Sequence, residues 1–391
     1  MPEIMKTADE IGPEKILHVY DPTAGMKAVV VVDTTLYGRA GGGTRMLPDI
    51  TTEEITWLAR AMTYKYAILG LPVGGAKAGI WADPSIQGPL REVIFRALGR
   101  ALKPLLEAGI GVGADLGTYS EDFAVMREAA GLPPRIWSLS GVEKDGEPIG
   151  NHVTGYGVVA AAKAACEFAG IDLSGATVAI EGFGKVGGGV ARYMAEEGAK
   201  VVAISTIYGT AYNEDGIDIR KLLDTRKESG DKAVQEYKDA QHIDRGAIYF
   251  LPVDILVPGA RPYVINKSNV NRVQAKIISS GANIPVTDEA AELLFQRGIH
   301  FVPDFISNAG AVLSGPIGQA GGTLDDVFRV LTDILGQLTY EILADARKEG
   351  INPRSLAVRR CREKVLKARA EKKAPPSADE LRESYRQRFK I

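Results

Sequence analysis

Residues 177–190 read TVAIEGFGKVGGGV, an apolar, β-branched run that passes through glycines straight into a helical pattern. Gly182, Gly184 and Gly187 fit G-x-G-x-x-G. The context gives the pattern weight: a strand precedes it, a helix opens near Val186, and a second strand follows to Ser205. Few folds accept that order. The first glycine permits a tight turn, the second lets a pyrophosphate approach the backbone, and the third lets helix and strand pack closely. Strand-like segments at 177–181, 200–205, 254–259, 275–283 and 299–305 alternate with helical ones. That alternation predicts βαβ units and a parallel sheet. Residues 151–325 are expected to form a Rossmann-type, doubly wound dinucleotide-binding domain.

The expected cofactor loop is Gly182, Phe183, Gly184, Lys185, Val186 and Gly187. The helix start presents free N–H groups and a positive dipole end to the phosphates. An acid at the end of the second strand would grip the ribose 2′-hydroxyl of NAD. Here that position carries Ser205 and Thr206 and no acid, and Lys185 adds positive charge. NAD or NADP is expected, with a lean to NADP or dual use.

Residues 1–150 mix short strands, at 16–20 and 27–33, with helices. The helix at 51–70 opens with a capping box from Thr51 to Glu54. Ile55, Leu58, Met62, Lys65 and Leu69 then recur at spacings of three and four, so Lys65 falls on the apolar stripe. A strand at 110–118 ends in a loop that carries Asp115. The tail, 326–391, reads as helices at 325–349 and 355–373 that return to the first domain. Its basic stretch 359–373 reads as a solvated helix face.

The net charge of −2 argues against a nucleic-acid or anionic-membrane binder. No apolar run of about 20 residues is present to span a membrane. The two cysteines, Cys166 and Cys361, fit buried reduced thiols in a cytoplasmic protein. The four histidines have no ligand spacing, so no metal site is expected.

Lysine is almost never fully buried unless paired. Yet Lys65 sits on an apolar stripe, and Lys77 lies within LPVGGAKAGIWADP, bracketed by Gly74, Gly75, Ala76, Ala78 and Gly79. Such a lysine either snorkels to water or, starved of it, gives up its proton more easily than usual. The small residues would let substrate and backbone approach one another.

The blocks GGGTRMLPDITTEEI, AMTYKYAILGLPVGGAKAGIWADP, VGADLGT, VTGYGVV, VAIEGFGKVG and PDFISNAGAV together resemble the glutamate/leucine/phenylalanine/valine dehydrogenase family. The resemblance runs from about residue 30 to 325. It implies an α/β chain of two domains. The first binds substrate and forms the oligomer, and the second is the Rossmann domain. It implies oxidative deamination of an L-amino acid to a 2-oxo acid and ammonia with NAD(P), in a cleft between the domains, by a homo-oligomer (hexamer or octamer). Lys65 would then bind the substrate carboxylate, Lys77 would be the catalytic lysine, and Asp115 would carry protons to and from the amino group. A second ammonium, Lys65, would lower the affinity of Lys77 for its proton. Thr154, Asn283 and Asn308 would line the nicotinamide side.

The substrate side chain is the open question. Gly41, before Gly42 and Gly43, stands where glutamate enzymes carry lysine and leucine enzymes carry leucine. Gly315, seven residues after Asn308, stands where glutamate enzymes carry serine. Two glycines leave room for a large neutral or aromatic side chain, and glutamate would need another partner. Arg39 and Arg45 are near in sequence, and Arg261 in PGARP departs from the family's small residues. A catalytically inactive relative that senses NAD(P), or a hydroxy-acid dehydrogenase, are the readings from other classes. The intact set Lys65, Lys77 and Asp115 speaks against the first. The lack of a histidine or tyrosine–lysine grouping speaks against the second.

Overall fold

The computed structural model describes residues 8–133, 139, 141–371 and 374–391. The chain divides into two compact units, 1–136 with 358–380, and 137–357 with 381–391.

The first unit holds β1 (Lys15–Asp21), β2 (Met26–Val32), β3 (Ala40–Met46), α1 (Thr52–Ile68), β4 (Gly74–Ile80), α2 (Gly88–Glu107), β5 (Ile110–Ala114) and α3 (Ser120–Ala129). The strands form a five-stranded sheet in the order β1-β2-β4-β3-β5. β4, β3 and β5 run parallel; β1 and β2 pair antiparallel, as do β2 and β4. One face is apolar: Val30, Met46, Ala78 and Ile80 pack on Ile94, Phe95 and Leu98 of α2 and on Phe123 and Met126 of α3. Each fully buried Val, Ile, Leu, Phe or Met side chain among them contributes about 1.5–3 kcal/mol. Alternation along β4 turns Gly75, Lys77 and Gly79 to the opposite face.

α1 covers that opposite face, and the glycine bracket around Lys77 follows from it. A Cβ at Gly75 would lie 2.3 Å from Ala59 O and Thr63 N, and one at Gly79 would lie 2.5 Å from Ile50 Cδ1. These glycines admit the helix, whereas the sequence suggested an approaching substrate. The expected capping box is half formed. Thr51 Oγ1 accepts from Glu54 N–H at 3.0 Å, but the Glu54 carboxylate is drawn to Arg45 instead.

The second unit holds β6 (Glu143–Lys144), β7 (Glu147–Pro148), α4 (Val153–Ala169), β8 (Thr177–Glu181), α5 (Lys185–Glu196), β9 (Lys200–Thr206), β10 (Gly209–Tyr212), α6 (Ile219–Ser229), α7 (Ala233–Glu236), β11 (Gln241–Ile243), β12 (Ile255–Pro258), β13 (Ile277–Ser279), α8 (Asp288–Gln296), β14 (His300–Val302), α9 (Asp304–Ser307), α10 (Gly310–Gln319) and α11 (Leu324–Glu349). Its seven-stranded sheet has the order β11-β10-β9-β8-β12-β13-β14. The five strands from β9 to β14 in that order are parallel. The sheet is not parallel throughout, as the sequence suggested. A two-residue turn, Ile207-Tyr208, is too short for a crossover helix, so β10 returns antiparallel to β9 and β11 antiparallel to β10.

The tail is shared between the units. α11 packs on α4, where a Cβ at Gly157 would lie 2.9 Å from Leu335 Cδ1. α12 (Pro353–Ala370) belongs to the first unit from Val358 on, and most of α13 (Ala378–Phe389) belongs to the second. The basic stretch of α12 is not a solvated face. Arg362 binds Asp9 at 2.8 Å and also Glu10; Arg369 binds Glu14 at 2.8 Å and Glu10 O at 2.7 Å. Lys364 donates to Ile68 O at 3.2 Å. Arg60 of α1 joins this clamp, reaching Asp9 at 2.8 Å and the fully buried Asp33 at 2.9 Å. Cys166 and Cys361 are both buried, and burial pushes the Cys166 thiol up to about 12.

No helix among the described residues is long and apolar enough to cross a membrane. Nor do they contain a group of three or more metal-ligating side chains that could hold an ion.

Candidate active site

The sheet of the first unit builds a charged cluster on the α1 side. β3 lies between β4 and β5, with Thr44 opposite Ala78 on one side and Ala114 on the other. Lys77 on β4 reaches across β3 and donates to Asp115 Oδ2, just beyond β5. The crossing needs a residue without a side chain. A Cβ at Gly43 would lie 2.8 Å from Asp115 Cβ and 3.1 Å from Lys77 Nζ. Asp115 is fixed by its neighbours: Leu116 N–H donates to Oδ1 at 2.8 Å, and Asp115 N–H donates to Thr118 Oγ1 at 2.9 Å.

Lys77 is 3 % exposed and Lys65, in the last turn of α1, is 6 % exposed. Burial pulls the Lys77 ammonium below its usual value, Asp115 opposes that, and the Arg45 charge adds to it. Burial alone would raise Asp115. The Lys77 and Arg45 charges outweigh it and hold the carboxyl far below the usual range. Arg45 is thus a like charge that acts on Lys77, one the sequence did not point to. Arg45 Nε lies 3.6 Å from Asp115 Oδ2, and its Nη1 donates to Glu54 Oε1 at 2.5 Å.

Gly41 and Gly42 lie on β3 beside this cluster. A Cβ at Gly41 would meet Tyr66 Oη at 2.9 Å and Val73 Cγ1 at 3.7 Å; one at Gly42 would meet Ala76 O at 1.7 Å. Arg39 points away, donating to Pro376 O at 2.8 Å. Gly43, Glu54 and Tyr66 were not read as site residues, and Arg45 was noted only as a charge near the substrate position. The glycine run showed no strand periodicity, and Glu54 passed for a cap.

In the second unit the glycine loop has the expected anatomy. Gly182 adopts φ 86°, beyond the reach of most side chains. A Cβ at Gly187 would fall 1.8 Å from Gly182 O, so helix and strand touch there. A Cβ at Gly184, the N-cap of α5, would meet nothing within 4 Å, which leaves that backbone open to a ligand. Lys185 and Val186 open α5 behind it, and Phe183 is buried with the Arg226 guanidinium 5.6 Å over its ring. This loop fits a dinucleotide pyrophosphate. Ser205 is fully buried, and Thr206 Oγ1 is occupied, donating to Asp231 O at 2.7 Å and accepting from Tyr208 N–H at 3.2 Å.

Asn283 and Asn308 come together: Asn308 Nδ2 donates to Asn283 Oδ1 at 3.0 Å and to Ala282 O at 2.9 Å. Thr154 lies in the first turn of α4, whose cap is His152. A Cβ at Gly310, where α10 begins, would lie 3.2 Å from Thr154 Cα. Gly315 is buried in α10. Arg261 lies just after β12, outside any regular element.

Comparison with known proteins agrees with this anatomy. Residues 146–372 match the family model described as Glutamate/Leucine/Phenylalanine/Valine dehydrogenase, and residues 13–130 match that family's dimerisation domain. A glutamate dehydrogenase of Aeropyrum pernix is 36 % identical over 301 residues, 73 % of this chain and 70 % of that protein. The hetero-hexameric glutamate dehydrogenase of Thermus thermophilus, crystallised with leucine, shares the fold at a TM-score of 0.81 and 24 % identity, over 93 % of this chain and 91 % of that one. The L-tryptophan dehydrogenase of Nostoc punctiforme aligns at a TM-score of 0.65 and 25 % identity, over 94 % and 99 %. The chain belongs to the glutamate/leucine/phenylalanine/valine dehydrogenase family and is an NAD(P)-dependent amino acid dehydrogenase.

Proposed function

We propose that the chain interconverts an L-amino acid and its 2-oxo acid, with Lys65, Lys77 and Asp115 as the working residues. An amino acid, NAD(P)⁺ and water give the 2-oxo acid, ammonium, NAD(P)H and a proton. NAD(P)⁺ held at the loop Gly182–Gly187 would supply the acceptor for the hydride that leaves the substrate Cα. Lys65 binds the α-carboxylate as a point charge. Asp115 takes a proton from the substrate ammonium. Lys77, as the neutral amine, removes a proton from the water that attacks the iminium carbon, then polarises the new oxygen as the ammonium. The supporting observation is the pairing of the buried Lys77 with the part-buried Asp115, set across Gly43.

The favoured substrate has a large neutral or aromatic side chain. Gly41 offers no charge, and what a side chain there would meet is Tyr66 and Val73. Of the arginines nearby, Arg39 is held by Pro376 O and Arg45 by Glu54. A buried carboxylate without a partner is costly, which disfavours glutamate. Glutamate is the second reading, because the Tyr66 hydroxyl beside Gly41 is a potential donor and the relative from Aeropyrum pernix is named for that substrate. The dimerisation-domain match and the exposed Tyr20, Leu90, Val93 and Tyr119 of the first unit support a homo-oligomer, hexamer or octamer, whose mass light scattering measures.

The test is turnover of the twenty L-amino acids with NAD⁺ and with NADP⁺, followed by absorbance of the reduced nicotinamide, and 2-oxo acid reduction with and without ammonium. Preference for a large neutral or aromatic substrate and an absolute need for ammonium are expected. Dominant glutamate turnover overturns the substrate reading. Reduction that proceeds without ammonium overturns the reaction.

A further inference from the structure

Two cations address one oxygen of Asp115. Lys77 contacts Oδ2 directly, and Arg45 Nε lies 3.6 Å from the same atom. That Nε is buried and has no hydrogen-bond partner. The other side of the guanidinium is held by Glu54 at 2.5 Å. A buried donor without an acceptor is costly. A movement of about half an ångström would bring Nε within bonding distance of Oδ2. Asp115 itself is anchored through Leu116 and Thr118, so it cannot follow Lys77 when the amine turns to another partner.

We propose that Arg45 is a positioning residue: as Lys77 turns to the substrate, Arg45 Nε–H closes on Asp115 Oδ2 and takes over as its counter-ion, while Glu54 sets how much guanidinium charge is felt there. This rests on the reading of Lys77 as the acid–base residue. To act as a base, Lys77 first releases its ammonium proton to solvent and keeps the electron pair on Nζ. With no second cation that step would strand a carboxylate. Arg45 removes that penalty and, by repulsion, favours the neutral amine. Glu54 acts in the opposite sense. The charged groups that weigh most on Lys77 are Asp115 beyond β5, Arg45 on β3 and Glu54 on α1. α1 also carries Lys65. Its Arg60 is taken by Asp33 just after β2, and Lys27 of β2 is exposed.

The experiment is kcat/KM against pH, with the best substrate and cofactor from the panel, for the wild type, Arg45→Met, Arg45→Lys and Glu54→Gln, with melting temperatures alongside. Activity rises with pH as Lys77 loses its proton. Removing the like charge moves that acid limb up by about one pH unit in Arg45→Met. Removing Glu54 moves it down by about half a unit, and Arg45→Lys recovers most of the wild-type position. General packing damage lowers rates at every pH and leaves the limb in place. Unmoved limbs, or shifts of one sign in both Arg45→Met and Glu54→Gln, overturn the proposal. Should Arg45→Met fail to fold, Glu54→Gln decides alone, and a limb that does not fall overturns it. A wild type that turns over no amino acid fails the earlier reading as well. An active wild type with unmoved limbs fails this one only.

Discussion

Gly43→Ala tests whether the Lys77–Asp115 geometry depends on an absent side chain. The added methyl would stand 2.8 Å from Asp115 Cβ, 3.1 Å from Lys77 Nζ and 3.2 Å from Asp115 Oδ2. Ordinary carbon contacts begin near 3.4 Å, so Asp115 Cβ must retreat by about 0.6 Å. The Lys77 tip can yield, but Asp115 is held at Leu116 and Thr118. A displacement of that size in catalytic groups lowers kcat by roughly 10- to 100-fold, or about 1.4–2.7 kcal/mol of barrier. Overpacking costs about 1–3 kcal/mol of stability. Gly113→Ala is the control on the neighbouring strand, where a Cβ would meet only Gly42 O at 3.9 Å. The assay is kcat from reduced-nicotinamide absorbance, with thermal unfolding beside it. A Gly43→Ala enzyme within about twofold of wild-type kcat, or one no slower than Gly113→Ala, would refute the reasoning.

Four further outcomes are expected. Gly184→Ala keeps its melting temperature but loses at least about tenfold in affinity for NADH or NADPH by fluorescence titration, because that Cβ enters only ligand space. Gly187→Ala loses both, because its Cβ meets Gly182 O at 1.8 Å. Arg60→Met leaves Asp33 buried without its cation and lowers stability by about 3–5 kcal/mol in chemical denaturation. Acid weakens the clamp on the N-terminal segment. Burial would raise Asp9, but Arg60 and Arg362 hold it far below its usual value, and Thr35 and Arg369 hold Glu14 down against burial. Carboxyls depressed in the fold add stability above their unfolded values near 4 and lose it as pH falls further. Asp33, raised by burial, works in the opposite sense, so Asp9→Asn rather than Asp33→Asn should flatten the fall in melting temperature between about pH 5 and 3.

Much of this was legible because its signals are local. The turn at Gly182, the helix opening at Lys185 and the strands on either side lie within about thirty residues, and their periodicities change where the elements change. The unusual setting of Lys65 and Lys77 was equally plain, since a charge among apolar or glycine neighbours stands out without a structure. β3 and β4 were harder. AGGGTRM and GGAKAGI carry almost no alternation, and they become strands only because neighbouring strands supply their hydrogen-bond partners. The basic face of α12 looked solvated because its acidic partners Asp9, Glu10 and Glu14 lie some 350 residues earlier.

The sequence by itself determined the dinucleotide loop, the buried lysines and the family, because each depends on residue type at short range. The tertiary structure alone decided that β3 runs between Lys77 and Asp115. That placement makes Gly43 the point of crossing, brings Arg45 to the carboxylate, and takes Glu54 from its cap. Parallel strand order is set by which edges find partners after the chain has closed its long loops, and no local pattern of residues encodes it.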